Sequence, residues 1–265
     1  MSHDPTFPHG AADGQGPAGH PVGPGSHDPL VVWHDVECGC YTADLELWLE
    51  LAAAAGGPVL DIGAGTGRVA LVLARAGHHV TALDREPALL RALTQRAATA
   101  GLSVATVAAD AQAFALGARR FGLIAVPMQT VLLLADRPAF LAAARRHLVP
   151  GGLLAMAVAV GLEPFESNGD GPVPEPDRGA AGGWSFASQP VAVRVGAASA
   201  RIERVRRSTA PGGEVLEADD VIELATLDTA QLDAEGRAAG LTPDGVREIA
   251  ATEDHVGSTV VLLRG

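Results

Sequence analysis

Lysine is missing altogether: all 19 basic residues of this 265-residue chain are arginine. That excludes mechanisms that need an ammonium side chain: a phosphate-binding P-loop, a protein kinase or a Schiff-base enzyme. Cysteine is nearly missing, with only Cys38 and Cys40. An i,i+2 pair is poorly placed for an unstrained disulfide, and two thiols alone make no structural zinc site, so free thiols in a reducing compartment are expected. Long apolar runs are missing too. The longest, Leu153 to Leu162, is half of the roughly 20 residues a membrane span needs. The start, Met1-Ser2-His3-Asp4-Pro5, lacks the basic and apolar regions of a signal peptide, so a cytoplasmic location is expected. Positive charge is scarce: the net formal charge of −12 opposes nucleic acid or an anionic membrane as the main partner.

Glycine and proline are plentiful but uneven. Residues 1–29 hold six of each and almost nothing apolar, so they cannot offset their ordering entropy and are expected to form a disordered tail. Its four histidines (His3, His9, His20, His27) have no fixed geometry and offer at most weak metal binding. The remainder, 30–265, reads as one domain. A helix with Thr42 as N-cap is expected through Leu51, with Leu45, Trp48, Leu49 and Ala52 on one face, ending at Gly56-Gly57-Pro58.

Strand and helix signals then alternate. Strands are expected at Val59 to Ile62, Val80 to Asp84, Val104 to Ala109, Phe121 to Val126 and Leu153 to Val160. Helices are expected at Arg68 to Ala76, Pro87 to Ala100 and Pro138 to His147. Repeated units of this length imply an α/β fold, a doubly wound, mostly parallel Rossmann-like sheet covered on both faces. The pattern breaks at Gly161. Gly161 to Gly183 carries four prolines and six glycines and reads as a long loop or lid. Beyond it, antiparallel strands are expected at Val191 to Val195, Ala200 to Thr209 and Val215 to Leu227. The segment 161–227 is thus a late antiparallel β insertion, followed by a helix from Thr229 to Ala239 and strands Val246 to Ala251 and Ser258 to Leu263.

The most informative stretch is Val59-Leu60-Asp61-Ile62-Gly63-Ala64-Gly65-Thr66-Gly67, a buried strand running into a glycine turn that opens a helix. Gly63 and Gly65 leave the backbone bare, so a ligand can approach without meeting a Cβ. Asp84, ending the second strand, is placed to accept hydrogen bonds from two ribose hydroxyls, which predicts an adenosine-type ligand at the switch point of the sheet. A nicotinamide site expects G-x-G-x-x-G, but the sixth position is Arg68, and no Tyr-x-x-x-Lys pair is present.

The pattern acidic-x-G-x-G-x-G instead resembles motif I of the class I S-adenosylmethionine-dependent methyltransferases. The other marks of that family follow in order: Asp84 after strand two, Ala109-Asp110-Ala111 after strand three, and Leu148-Val149-Pro150-Gly151-Gly152 before strand five. The resemblance covers about Tyr41 to Gly265 and implies a seven-stranded sheet and S-adenosyl-L-methionine as cofactor. It places Asp61 near the amino-acid end of that ligand, and Gly63, Ala64 and Gly65 around the turn beneath it. Asp84 would hold the ribose and Arg85 flank the adenine. Asp110 would bond the adenine amino group, Ala111 would donate its N–H to the ring, and Val126 and Pro127 would pass beside the sulfonium.

Val126-Pro127-Met128-Gln129-Thr130 replaces the Asn/Asp-Pro-Pro-aromatic motif that binds planar amines, which with the acidic charge disfavours nucleic-acid substrates. With Asn168 as the only asparagine, a magnesium-assisted catechol-type site is disfavoured, and no metal ligands are expected. A late antiparallel insertion is similar to that of small-molecule enzymes such as amino-sugar N,N-dimethyltransferases and glycine N-methyltransferases. It implies a small-molecule N or O acceptor, and the insertion either forms a homodimer interface or only a lid. A hydroxyl acceptor needs a general base, for which His255, in Glu253-Asp254-His255, is the candidate against a plain surface turn. Gln129 would face the acceptor or cap the next element, and Tyr41 would close over the cofactor or pack in the core. Arg201, Glu203 and Arg207 share one strand face and Arg204 and Arg206 the other, either solvated or binding an anionic group of the substrate. The rival readings are a non-catalytic S-adenosylmethionine sensor or partner subunit, and a nicotinamide-dependent oxidoreductase.

Overall fold

Val59–Ile62 (β1) is buried on both faces, and its neighbours explain why so short a strand holds. In a computed structural model, which describes residues 28–167, 174–253 and 255–265, β1 pairs in parallel with Val80–Asp84 (β2) and Phe121–Val126 (β4). Val104–Ala108 (β3) closes one edge beside β2. Leu148–Ala159 (β5) continues beyond β4, followed by Ser258–Arg264 (β12) and Thr242–Ile249 (β11). The order is β11-β12-β5-β4-β1-β2-β3, with β12 antiparallel to both its neighbours. This is the mostly parallel seven-stranded sheet that the strand–helix alternation predicts.

Strand alternation divides the core. Leu60 and Ile62 face the layer of Arg137–His147 (α5) and Thr229–Ala238 (α6), with Phe114, Phe140 and Leu141. Val59 faces the layer of Leu45–Ala55 (α2), Arg68–Arg75 (α3) and Pro87–Thr99 (α4), with Trp48, Leu73 and Leu93. In α2 the buried face is Leu47, Trp48, Leu51 and Ala52; Leu45 and Leu49 are only half-buried. The expected stripe is therefore rotated. Asp44 is the N-cap in place of Thr42, and its carboxylate accepts from Trp48 Nε1 at 2.8 Å and from Arg68.

Other boundaries move as well: the last-but-one strand, expected at Val246 to Ala251, is Thr242–Ile249, and the strand expected from Val191 starts at Trp184. β5 begins at Leu148 rather than Leu153, because Pro150-Gly151-Gly152 sits inside the strand. Phe121 pairs with Leu148 but Leu123 with Leu153, and the chain-terminal Gly265 exchanges backbone hydrogen bonds with Gly151 and Gly152. The expected loop Gly161 to Gly183 contains strand: Phe165–Glu166 (β6) and Asp177–Ala181 (β7) both pair along Trp184–Val195 (β8). Ser199–Thr209 (β9) and Val215–Ala225 (β10) complete a five-stranded antiparallel sheet, which is the late insertion. Asn168 and Asp254 lie outside the described residues, as does nearly all of the expected tail.

The helix at the start of the described chain was not expected either. Pro29–Cys38 (α1) is a helix, capped by Asp28, whose carboxylate accepts from Leu30 N at 3.1 Å. Asp followed by Pro at the first helical position is a start signal in its own right. α1 lies across β7, β8 and α4, burying Val32 and Val36 with Phe186, Trp33 and Trp184.

The tightest seam lies where α2 ends against β4: a Cβ on Gly122 would come within 1.6 Å of the Gly56 carbonyl oxygen. Gly122→Ala is expected to cost about 3 kcal/mol in chemical denaturation through overpacking. Gly212→Ala, which meets nothing within 4 Å, should stay within about 0.5 kcal/mol of the parent.

Candidate functional site

The turn after β1 places Gly63, Gly65 and Gly67 at φ of 69°, 55° and 99°, all left-handed. It is pinned by Asp84 at the end of β2. One carboxylate oxygen accepts from Gly65 N at 2.8 Å and the other from Glu86 N at 2.9 Å, and the Gly63 and Ala64 N–H groups donate to Leu83 C=O. Arg68, at the first position of α3, turns away from the turn. It forms a two-pronged pair with Asp44 and donates to Tyr41 C=O at 2.8 Å. The residue that breaks the nicotinamide pattern thus fastens α2 to the start of α3.

Asp61 shares the face of Val59 and is enclosed by that apolar layer. Neither carboxylate oxygen finds a donor in hydrogen-bonding geometry. Burial pushes its pKa up to about 7, against the opposing pull of Arg68 and the Ala70 N–H. An orphaned carboxylate beside a glycine turn is suited to an ammonium or hydroxyl group arriving with a ligand.

Above the turn lies a cavity of about 830 Å³. Its floor is Asp61, Gly63, Ala64 and Asp84, and one wall is Arg85, Ala109, Asp110, Ala111 and Gln112 from the ends of β2 and β3. Asp110 accepts from Gln112 N at 2.8 Å and is otherwise exposed, and Arg85 is largely exposed beside Glu86. The opposite wall is Pro127, Met128, Gln129 and Thr130. Met128 is the only non-glycine residue with positive φ (54°) among the described residues, a strained backbone of the kind that gathers at functional sites. Val126 is fully buried in the core, and the residues after it supply the wall.

α1 and β9–β10 form the roof. A Cβ on Gly65 would meet His34 Nε2 at 2.1 Å, and one on Gly63 would meet Thr130 Oγ1 at 2.6 Å, so this chain's own side chains occupy the space the glycines leave. Thr66 Oγ1 donates to Asp35 at 2.7 Å and lies 3.4 Å from His34 Nδ1. Burial holds the His34 pKa below its ordinary value, against the pull of Asp35 and Asp84. Asp35 also pairs with Arg96 of α4. Further along α1, Glu37 accepts from Ser188 at 2.8 Å and from Arg206 at 2.7 Å, and pairs with Arg204 at 3.1 Å. Burial raises the Glu37 pKa, and these partners outweigh it, leaving the carboxyl below its ordinary value. Arg204 and Arg206 share one face, as strand alternation predicts, and that face lines the cavity, while Arg201, Glu203 and Arg207 pair on the other. Their anion, though, is Glu37 of the same chain.

Ten of the expected site residues, Pro127 among them, line the cavity or the glycine turn; Val126, Tyr41 and His255 do not. Tyr41 is buried under Arg68, whose guanidinium lies 5.2 Å from the ring centroid, and its ring sits 5.0 Å from that of His255. The aromatic and imidazole groups that roof the cavity are Trp33 and His34. Sequence reasoning missed them because they belong to α1, whose start signal, Asp28-Pro29, lay inside a segment read as tail.

Comparison with known proteins places this geometry. Residues 59–152 match a family model described as "Methyltransferase domain". An uncharacterized protein of Mycobacterium tuberculosis is 45% identical over 69 residues, covering 26% of this chain and 25% of that protein. A ubiquinone biosynthesis O-methyltransferase of Methylobacterium nodulans is 36% identical over 95 residues, 36% of this chain and 38% of its own. The chain thus spans about a quarter to two fifths of these curated relatives. Among solved structures, an amino pentose methyltransferase from Micromonospora echinaspora, with SAM bound, aligns with a TM-score of 0.66 at 24% identity over 88% of this chain and 97% of that one. The fold is that of these methyltransferases.

The Asp61 carboxyl supplies a test of the site's electrostatics. A carboxyl whose pKa is raised on folding lends stability that is complete below its ordinary pKa and is lost as pH rises through the folded value of about 7. Asp61→Asn carries no such loss. Its stability relative to the parent should therefore climb between pH 4 and pH 8, by about 1.4 kcal/mol per unit of pKa elevation. Denaturation at both pH values checks this; a constant difference contradicts it.

Proposed function

We propose that this chain is an S-adenosyl-L-methionine-dependent methyltransferase that acts on a small-molecule N or O acceptor, with an amine favoured. The observation that carries this reading is the orphaned Asp61 carboxylate at the glycine turn, opening on a cavity whose far wall bears Asp110. Asp61 fits the ammonium end of the cofactor, Asp84 retains lone pairs for ribose hydroxyls, and Asp110 with the Ala111 N–H fits the adenine edge. Arg85 fits the outer face of the base. When bound, S-adenosylmethionine supplies an electrophilic methyl group on a sulfonium.

The chain's contribution is alignment and exclusion of water. The wall at Pro127 to Thr130 and the roof of α1 enclose the space in which an acceptor meets the methyl group in line. An amine needs only to arrive neutral and to lose its proton to solvent afterwards, whereas a hydroxyl needs a base. His255 lies outside the cavity lining, and His34 sits on the glycine turn rather than on the acceptor side. On the acceptor side Asp220 already pairs with Arg206 at 2.8 Å and Glu217 with Arg207, which leaves Asp219 as the acidic group of that rim without such a pair. The amino pentose enzyme that shares the fold supports the choice of an amine. Gln129, on the wall, remains placed to orient the acceptor.

With S-adenosylmethionine and a panel of amino sugars and other small amines, S-adenosylhomocysteine should form only when an acceptor is present. Asp110→Ala should raise KM for the cofactor roughly tenfold or more, as expected for losing a charged hydrogen-bond acceptor, with kcat little changed. Tight cofactor binding with no turnover on amines or hydroxyl compounds would favour the sensor reading instead.

A further inference from the structure

Outside the cavity, three side chains from distant parts of the chain converge. Cys40 lies two residues past the end of α1, Asp177 is the first residue of β7, and His255 sits in the turn between β11 and β12. Their ligand-type atoms all lie within 4.8 Å of one another, with Cys40 Sγ 4.0 Å from His255 Nε2. We propose that Cys40, Asp177 and His255 form a binding site for one zinc-type divalent transition-metal ion, with water completing a tetrahedral set.

The geometry is close to what such an ion requires. Metal–ligand distances of about 2.3 Å to sulfur and 2.0–2.2 Å to nitrogen or oxygen set tetrahedral ligand atoms roughly 3.3–3.8 Å apart. Contraction of any pair by at most about 1.5 Å therefore completes the site. The imidazole is already oriented for it. The backbone N–H of His255 donates to the Thr252 hydroxyl oxygen at 3.0 Å, and the same oxygen lies 3.5 Å from Nδ1, so Nδ1 faces Thr252 and Nε2 faces the sulfur. The Tyr41 ring, 5.0 Å away, flanks the imidazole and limits its rotation. A second-shell partner on the far ring nitrogen is the usual companion of a metal-ligating histidine.

The donor set of one thiolate, one imidazole and one carboxylate selects zinc, cobalt or a similar ion over magnesium or calcium. On binding, the Cys40 thiol gives its proton to solvent and the thiolate bonds the metal, with no change of oxidation state. Cys38 is distinguished from Cys40 by its surroundings. It lines the cavity rather than this cluster, and burial, with Glu37 adding, pushes its thiol up to about 11. An ion at the site would join the end of α1 to the insertion and to the last strand pair.

Cobalt(II) titration of the reduced full-length protein tests this independently of methyl transfer. One equivalent should give a thiolate-to-cobalt charge-transfer band with the strong visible absorption of tetrahedral cobalt, both displaced by zinc. The tail histidines cannot produce a thiolate band. Cys40→Ser should abolish it and Cys38→Ser should leave it intact, while Asp177→Asn and His255→Gln should weaken cobalt affinity roughly tenfold or more. A wild-type protein without the band overturns the assignment, as does a band that survives Cys40→Ser or is lost in Cys38→Ser.

Discussion

The hydrogen bond from the Gly65 N–H to the Asp84 carboxylate joins the ends of two neighbouring strands, and the site is built around it. It holds the turn in left-handed backbone that three glycines make accessible, so that β1 can pass directly into α3 without a side chain in the way. From that fixed point, Asp61 is committed to the apolar face beneath the turn and Asp84 to the cavity floor. The ends of β3 and β4 supply the two walls. The parallel sheet places all four strand ends on one edge, which is why residues scattered along the chain meet in a single cavity.

The roof follows from a different set of interactions. α1 is fastened by charge at both ends of the cavity: Asp35 to Thr66 and Arg96 over the glycine turn, and Glu37 to Ser188, Arg204 and Arg206 over the insertion. Between them, Val32, Val36 and Trp33 pack on Phe186 and Trp184. The insertion adds its own anchor, since β10 lies against the short 3-10 helix Thr130–Leu133 that follows the strained Met128. The floor and the roof of the cavity thus come from separate sheets bridged by one helix.

How much of this the sequence disclosed follows the physics of each element. β1, β2 and β4 were legible to the residue because strands buried on both faces read as short, mainly apolar runs bounded by turn signals. The glycine turn and Asp84 were legible because backbone conformation leaves a direct trace in residue type. β7 and the first half of β8 were not, since Asp177-Arg178-Gly179 and Gly182-Gly183 carry turn-forming residues and owe their pairing to neighbouring strands rather than to propensity. Tyr41 and His255 illustrate a second limit. Both are side chains that touch, as an interaction model of the site would want, but on the outer side of Arg68. No sequence pattern says on which side of a helix start a loop will pass.

The central claim is that the cavity above Asp61 and Asp84 is built for an adenosyl amino acid. Calorimetric titration of the full-length protein with S-adenosylhomocysteine, and separately with NAD, tests it most directly. The account predicts one site of micromolar affinity for S-adenosylhomocysteine and no heat from NAD. Binding of NAD alone, or of neither compound, would contradict it.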